Sequence, residues 1–160
     1  MKSKQQRKAI KKNIPDKTIR NKRARFDYEL GDSFVVGVAL NGRETKSLRM
    51  GHGQLQGAYV TVKDDELFLI NASIHGTTGI PIEDSEVTRA RKLLAKRKEI
   101  DQLITAKKQG RTIVPVDILT RGRYIKVRIA LGKGKKDYDK RHDLKKRAVD
   151  IDIRRDLKSL

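Results

Sequence analysis

A small, mainly β domain is the fold class the sequence predicts: a closed or nearly closed antiparallel barrel with helices packed on it and a C-terminal tail. Three observations carry it. Short runs rich in Val, Ile, Leu, Tyr and Phe recur through residues 34–131, each followed within three residues by Gly, Asn or Asp. Two pairs of these runs are joined by short polar connections, the pattern of hairpins. The 160 residues include 36% hydrophobic and 4% aromatic side chains, enough for one modest core.

The elements follow in order. Residues 1–20 are rich in Lys, Gln, Asn and Arg around Pro15. They bury too little apolar surface to offset ordering entropy and are predicted to be a disordered basic extension. A folded body is expected over 21–132. Phe34 to Leu40 reads as a strand interrupted by Gly37 and stopped by Asn41-Gly42. Arg43 to Met50 reads as a short helix ended by Gly51 and Gly53. Ala58 to Val62 and Leu67 to Ile74 form a hairpin across Lys63-Asp64-Asp65-Glu66, and His75 to Asp84 is a loop. A long helix is predicted over 85–108. Ser85 caps it, Glu86 sits in its first turn, and Leu93, Leu94, Ile100, Leu103 and Ile104 recur near helical spacing. Thr112 to Leu119 and Tyr124 to Leu131 make a second hairpin, with Pro115 at an edge or bulge. The tail, 133–160, carries Leu144, Ala148, Ile151 and Leu157 on one narrow face, so it is disordered or only marginally helical unless something packs against it.

Charge narrows the function. The net charge is +19, distributed unevenly: +10 over residues 1–25, −5 over 26–85, +9 over 86–130 and +5 over 131–160. A folded body with basic faces and basic ends favours a polyanion, and RNA or DNA is the usual one. A membrane surface is disfavoured, because the chain has no Trp and its basic N-terminus carries only isolated apolar residues. Cysteine is absent, which removes disulfides, Cys-held zinc and thiol nucleophiles. The N-terminus has cations but no apolar h-region, so no signal peptide is read and the cytoplasm is the expected compartment. Catalysis finds little support. His52, His75 and His142 are scattered, and Asp64-Asp65-Glu66, the seed of a metal-nuclease alternative, is accounted for by a hairpin turn. Gly132-Lys133-Gly134 lacks the closing Lys-Ser/Thr of a P-loop. No metal, cofactor or catalytic residue is expected.

The candidate contacts fall into clusters. Lys22, Arg23 and Arg25 open the body as a phosphate-contacting patch, with Asn21 as a hydrogen-bond donor to base or backbone. Glu44, Lys46 and Arg49 share the short helix. Lys46 and Arg49, three apart, lie on one face and suit a phosphate clamp, while Glu44 is expected to orient a neighbouring cation. Arg89, Arg91, Lys92, Lys96, Arg97 and Lys98 crowd the early part of the predicted long helix against Glu86 and Glu99, more cations than local pairing explains. The run Gly132 to Arg141 reads as a hinge into an arm. Its cations Lys135, Lys136, Lys140 and Arg141 suit phosphates, and Gly134 permits close backbone approach. Asp139 either holds an Arg fork or caps the tail helix. Tyr138, Tyr124, Tyr59 and Phe26 are able to stack bases. With so few aromatics available, the core is the expected place for all but Tyr138.

Four segments carry a resemblance: Asn21 to Ala24, Gly42 to Arg49, Thr88 to Leu94, and Gly134 to Arg141. In this order and at these separations they resemble the SsrA-binding protein family, and frame roughly residues 21–160. The resemblance implies an OB-type barrel with accessory helices. It implies that the body binds the tRNA-like domain of transfer-messenger RNA and delivers it to stalled ribosomes. It further implies a tail, Gly134, Lys135, Lys136, Tyr138, Asp139, Lys140 and Arg141 included, that reaches the decoding centre and folds in the empty mRNA channel against ribosomal RNA. Leu93 and Leu94 read as core residues from their apolar spacing, while the resemblance lets Leu94 sit at the edge of the RNA interface. A monomer without catalytic chemistry is implied. Val35-Val36-Gly37 stands where the family has Glu-Ala-Gly, so the RNA contact of that Glu is lost here or passes to a neighbour. An OB-type ribosomal protein or assembly factor is the alternative that shares charge and fold.

Overall fold

The computed structural model describes residues 18–159. All but residues 18–20 of the basic extension lie outside the described residues. Residues 19 and 20 depart from the expectation of disorder. They form strand β1 (Ile19–Arg20), which pairs with β8, and Ile19 packs against the core.

The remaining elements run α1 (Ala24–Asp27), β2 (Tyr28–Val38), α2 (Gly42–Met50), β3 (Gly53–Gln54), β4 (Tyr59–Lys63), β5 (Glu66–Ile70), β6 (Ser73–Ile74), α3 (Asp84–Val87), β7 (Arg91–Leu94), α4 (Arg97–Lys108), β8 (Thr112–Leu119), β9 (Lys126–Gly134) and α5 (Asp137–Ser159). Seven strands make one antiparallel sheet in the order β1-β8-β9-β2-β7-β5-β4, while β3 and β6 pair separately. The sheet curls until β4 lies beside β8, with Cα atoms within 8 Å, so it is nearly closed. The result is a small OB-like β fold with accessory helices.

Period-2 alternation decides which side chains enter the core. Val36, Val127 and Ile118 stand opposite one another on β2, β9 and β8, and all are buried. Leu67, Leu69 and Leu93 extend the interior across β5 and β7, and Leu103 and Ala106 of α4 close over it. Each such aliphatic side chain removed from water contributes about 1.5–3 kcal/mol. Pro115 sits where the β8–β9 register skips a residue, as its missing N–H requires. The β4–β5 hairpin turns on Asp64 and Asp65, both at positive φ (51° and 58°), the geometry whose twist matches the strands.

Two predicted elements are corrected. The helix expected over 85–108 is interrupted. Ser85 caps nothing, α3 ends at Val87, and β7 fills the sheet between β2 and β5 before α4 begins. Arg91 and Leu93 point inward while Lys92 and Leu94 point out, a strand alternation hidden by the apolar spacing that continues into α4. The return strand expected over 67–74 is broken by Asn71 at φ 59°, and its end joins β3 instead. The hinge also moves: Gly132 is buried in β9, which continues through Gly134.

Gly53 is required by close approach. A Cβ there would meet Leu48 Cδ2 at 2.6 Å and Ile19 Cδ1 at 3.0 Å. Gly53→Ala is therefore expected to cost about 1–3 kcal/mol by overpacking, measured as a lower urea midpoint with unchanged slope.

Candidate nucleic-acid interface

The buried centre of the site is an ion triad. Asn41 caps α2, and Glu44, three residues on, returns the capping bond: Glu44 N–H donates to Asn41 Oδ1 at 2.9 Å and Asn41 N–H to Glu44 Oε2 at 3.0 Å. The same carboxylate accepts from Arg89 Nε (2.8 Å), Arg89 Nη2 (2.6 Å) and Arg91 Nε (2.9 Å). Arg91 is fully buried. Its Nη1 donates to the carbonyls of Ala72 and Arg89, and its Nη2 to those of Glu86 and Val87. All five of its N–H groups are thereby satisfied. Burial alone would raise the Glu44 pKa. The hydrogen bonds from Arg89 and Asn41 and the charge of Arg91 outweigh it, and the carboxyl lies below its ordinary range. Burial pulls Arg91 down against the opposing pull of Glu44, while its bond to Glu44 raises Arg89.

The triad corrects two candidate contacts. Glu44 and Arg91 have no accessible surface with which to meet RNA. Glu44 does orient cations, as its like-charge relation to RNA led one to expect. Arg89 remains 35% exposed. Arg49 is half-buried and donates to the carbonyls of Thr120, Gly122 and Arg123, so it holds a loop rather than sharing an open clamp with the exposed Lys46. Asn21 is likewise engaged inside: its N–H donates to Val116 O and its Nδ2 to Pro115 O at 2.9 Å.

The outward sheet face brings together residues from five strands. Lys92 and Leu94 of β7 project there, Leu94 55% exposed. Leu94 pairs with Gly37, and Gly37 with Lys126. In the next row Val35, 45% exposed, stands opposite Arg128, which ion-pairs Asp117 at 3.0 Å. Lys92 pairs across to Glu66. Lys96 is exposed where α4 begins. Cations beside apolar side chains on an open strand face suit phosphates and base faces together. Lys126 and Arg128 are functional candidates missing from the sequence reading. The alternation of Lys126 and Arg128 with buried Val127 and Ile129 was the signal available.

At the opposite end of β2 lies a second cluster. Lys22, Arg23 and Arg25 are exposed around α1. Arg23 lies over the Phe26 ring at 5.9 Å and pairs with Asp27. The base of α5 is fastened here. Lys135 N–H donates to Asp27 O, and Lys135 Nζ donates to Arg25 O (3.1 Å) and Asp143 Oδ2 (2.7 Å). Lys140 pairs with Asp27 at 3.4 Å, and Arg147 lies over Phe26 at 6.0 Å. The hydrogen bond from Lys135 holds the Asp143 carboxyl below its usual range. Asp139 reaches back to Lys136 N–H at 3.4 Å, a capping role. Lys136, Tyr138 and Arg141 are exposed, and Gly134 closes β9 opposite Tyr28. Beyond its base α5 is a lone helix with no buried residue. The core reading of Tyr59 and Tyr124 fails: they are 50% and 67% exposed, because the aliphatic residues fill the barrel.

Among the described residues no helix is long and apolar enough to cross a membrane.

Comparison with known proteins adds the following. The family model described as SmpB protein matches residues 18–159. An SsrA-binding protein of Shewanella sp. (strain ANA-3) is 40% identical over 160 residues, covering 95% of each chain. One from Trichormus variabilis is 43% identical, covering 87% of this chain and 91% of its own. A solved chain described as "tmRNA-SmpB: a journey to the center of the bacterial ribosome" superposes with a TM-score of 0.63 at 38% identity, covering 82% of this chain and 94% of that one.

Proposed function

This chain belongs to the SmpB family, and from that premise we propose that it binds SsrA RNA, the transfer-messenger RNA, and acts with it on the ribosome in trans-translation. The reading extends to the parts. The body, 21–132 with the last residues of β9, holds the tRNA-like domain by shape and phosphate charge. The sheet face of Lys92, Leu94, Val35, Lys126 and Arg128, with Lys96 where α4 begins and Lys46 exposed on α2, is the surface that suits this role. The tail from Lys135 on senses a vacant mRNA channel, where its cations meet ribosomal RNA. The protein acts in the cytoplasm, as a monomer, without catalytic chemistry of its own.

The single observation that carries the division is the contrast between the two parts. The open sheet face is built on a packed core, whereas α5 buries none of its residues. A tail stabilised so little by its own body has its surface available for another partner.

The body contact is tested by salt dependence. Lys126→Gln and Lys46→Gln are each expected to weaken binding of a tRNA-like SsrA transcript and to lower the slope of log K against log salt by about one. Unchanged slopes in both would remove these positions from the interface. Retrieval of SsrA RNA by the tagged full chain from a bacterial lysate tests the whole reading, with loss of enrichment over total RNA as the contrary outcome.

A further inference from the structure

We propose that the loop between β8 and β9 is a separate nucleotide contact, in which Tyr124 stacks an unpaired base of the bound RNA and Arg123 holds the neighbouring phosphate. The proposal rests on the reading that the body binds SsrA RNA.

The loop is built to present that ring. Its ends are sunk in the fold at Thr120, 3% exposed, and Ile125, 5% exposed. Between them Gly122 takes φ 90°, which a side chain would strain. Arg49 fastens the turn from α2 by donating to Thr120 O (3.2 Å), Gly122 O (3.0 Å) and Arg123 O (2.9 Å). Three bonds from one guanidinium to three carbonyls fix the backbone before any ligand arrives, so less ordering is left to binding. Tyr124 then projects outward, 67% exposed, in a chain with four Tyr, three Phe and no Trp. The Arg123 guanidinium covers one side of its ring at 5.4 Å from the centroid. The remaining exposure leaves the ring able to take a second flat partner.

The surrounding charge selects that partner. Residues 120–128 contain Arg121, Arg123, Lys126 and Arg128 and no carboxylate. The neighbouring α2 presents Arg43 and Lys46, and its one acid, Glu44, is buried and already bonded to two arginines. A ring covered by Arg123, in a stretch that carries cations and no acid of its own, suits a base flanked by phosphates, since every base offers a π-face and no sequence match is needed.

The absence of Trp makes the test direct, because Tyr124→Trp in the full chain supplies the only indole. The probe is a transcript of the SsrA tRNA-like domain, with a fully paired RNA of equal length as control. Indole fluorescence is expected to be quenched at saturating transcript. Tyr124→Ala is expected to bind roughly fivefold to a hundredfold more weakly, with an unchanged salt slope, since stacking releases no counterion. Tyr124→Phe, which keeps the ring, is expected to stay within about twofold of the wild type. Arg123→Gln is expected to lower the slope by about one. Thermal unfolding of each variant matching the wild type keeps the comparison one of binding. Unquenched indole at saturation, or Tyr124→Ala binding as the wild type does, overturns the loop contact and leaves the body reading intact. A wild type that does not prefer the transcript to the control overturns both.

Discussion

Glu44→Gln is expected to lower the unfolding free energy by about 3–5 kcal/mol, because it leaves the guanidinium of Arg91 buried without its counter-charge. Gln has the same shape, so packing is kept while the charge is removed and one acceptor oxygen becomes an amide donor facing N–H groups. Arg91 is fully enclosed and its pKa is already pulled down by burial, which makes it intolerant of losing the partner that holds it charged. The midpoint of thermal unfolding is expected to fall by roughly 10 °C. Arg89→Gln is expected to cost less, since Arg89 is 35% exposed and water replaces part of its pairing. Glu44→Leu with Arg91→Met is expected to recover most of the loss, an apolar pair of similar volume needing no compensation. Acid reports on the same charge. The Glu44 carboxyl is depressed in the folded state, so its contribution is present above the unfolded pKa of about 4.3 and is lost as pH falls through the folded value. The gap between wild type and Glu44→Gln is therefore constant near neutrality and narrows in acid. A gap that stays constant through this range would place the effect in packing.

Ending the chain after Lys136 is expected to leave body stability and affinity for the tRNA-like transcript nearly intact while abolishing tagging on stalled ribosomes. No residue of α5 is buried, so its removal exposes little apolar surface. The cut retains all of β9 and the bond from Lys135 N–H to Asp27 O. Chemical unfolding, filter binding and a reconstituted tagging reaction measure the three quantities on one protein. Loss of transcript affinity in the truncated chain would mean that the tail belongs to the body interface.

The sheet was readable in the sequence wherever alternation and turn chemistry agreed. Asp64-Asp65 between β-branched runs announced the β4–β5 hairpin, and Pro115 announced the bulge. β7 was not readable. Leu93 and Leu94 extend the apolar spacing of α4, and only the tertiary pairing with β2 and β5 turns that segment into a strand, from which Arg91 reaches Glu44, 47 positions away. The same long-range bond explains why Glu44 and Arg91 looked like surface charges. A buried ion pair has no local signature. Lys46 was legible as an exposed residue because α2 places it outward, whereas Leu94, whose apolar spacing argued for the core, is 55% exposed because β7 turns it out. Tyr124 was not legible as exposed, since ring scarcity argued for the interior while the aliphatic residues had already filled it.

The lone α5 also acts as a lever. Its 23 residues form a rod of about 35 Å, and a 10° tilt at the base sweeps its tip through about 6 Å. The fulcrum is partly ionic, with Lys135 against Asp143 and Lys140 against Asp27. Such pairs weaken as salt is added. The cone swept by the far end is therefore expected to widen with ionic strength while the barrel beneath it stays put, so reach becomes a property of the solvent as well as of the chain.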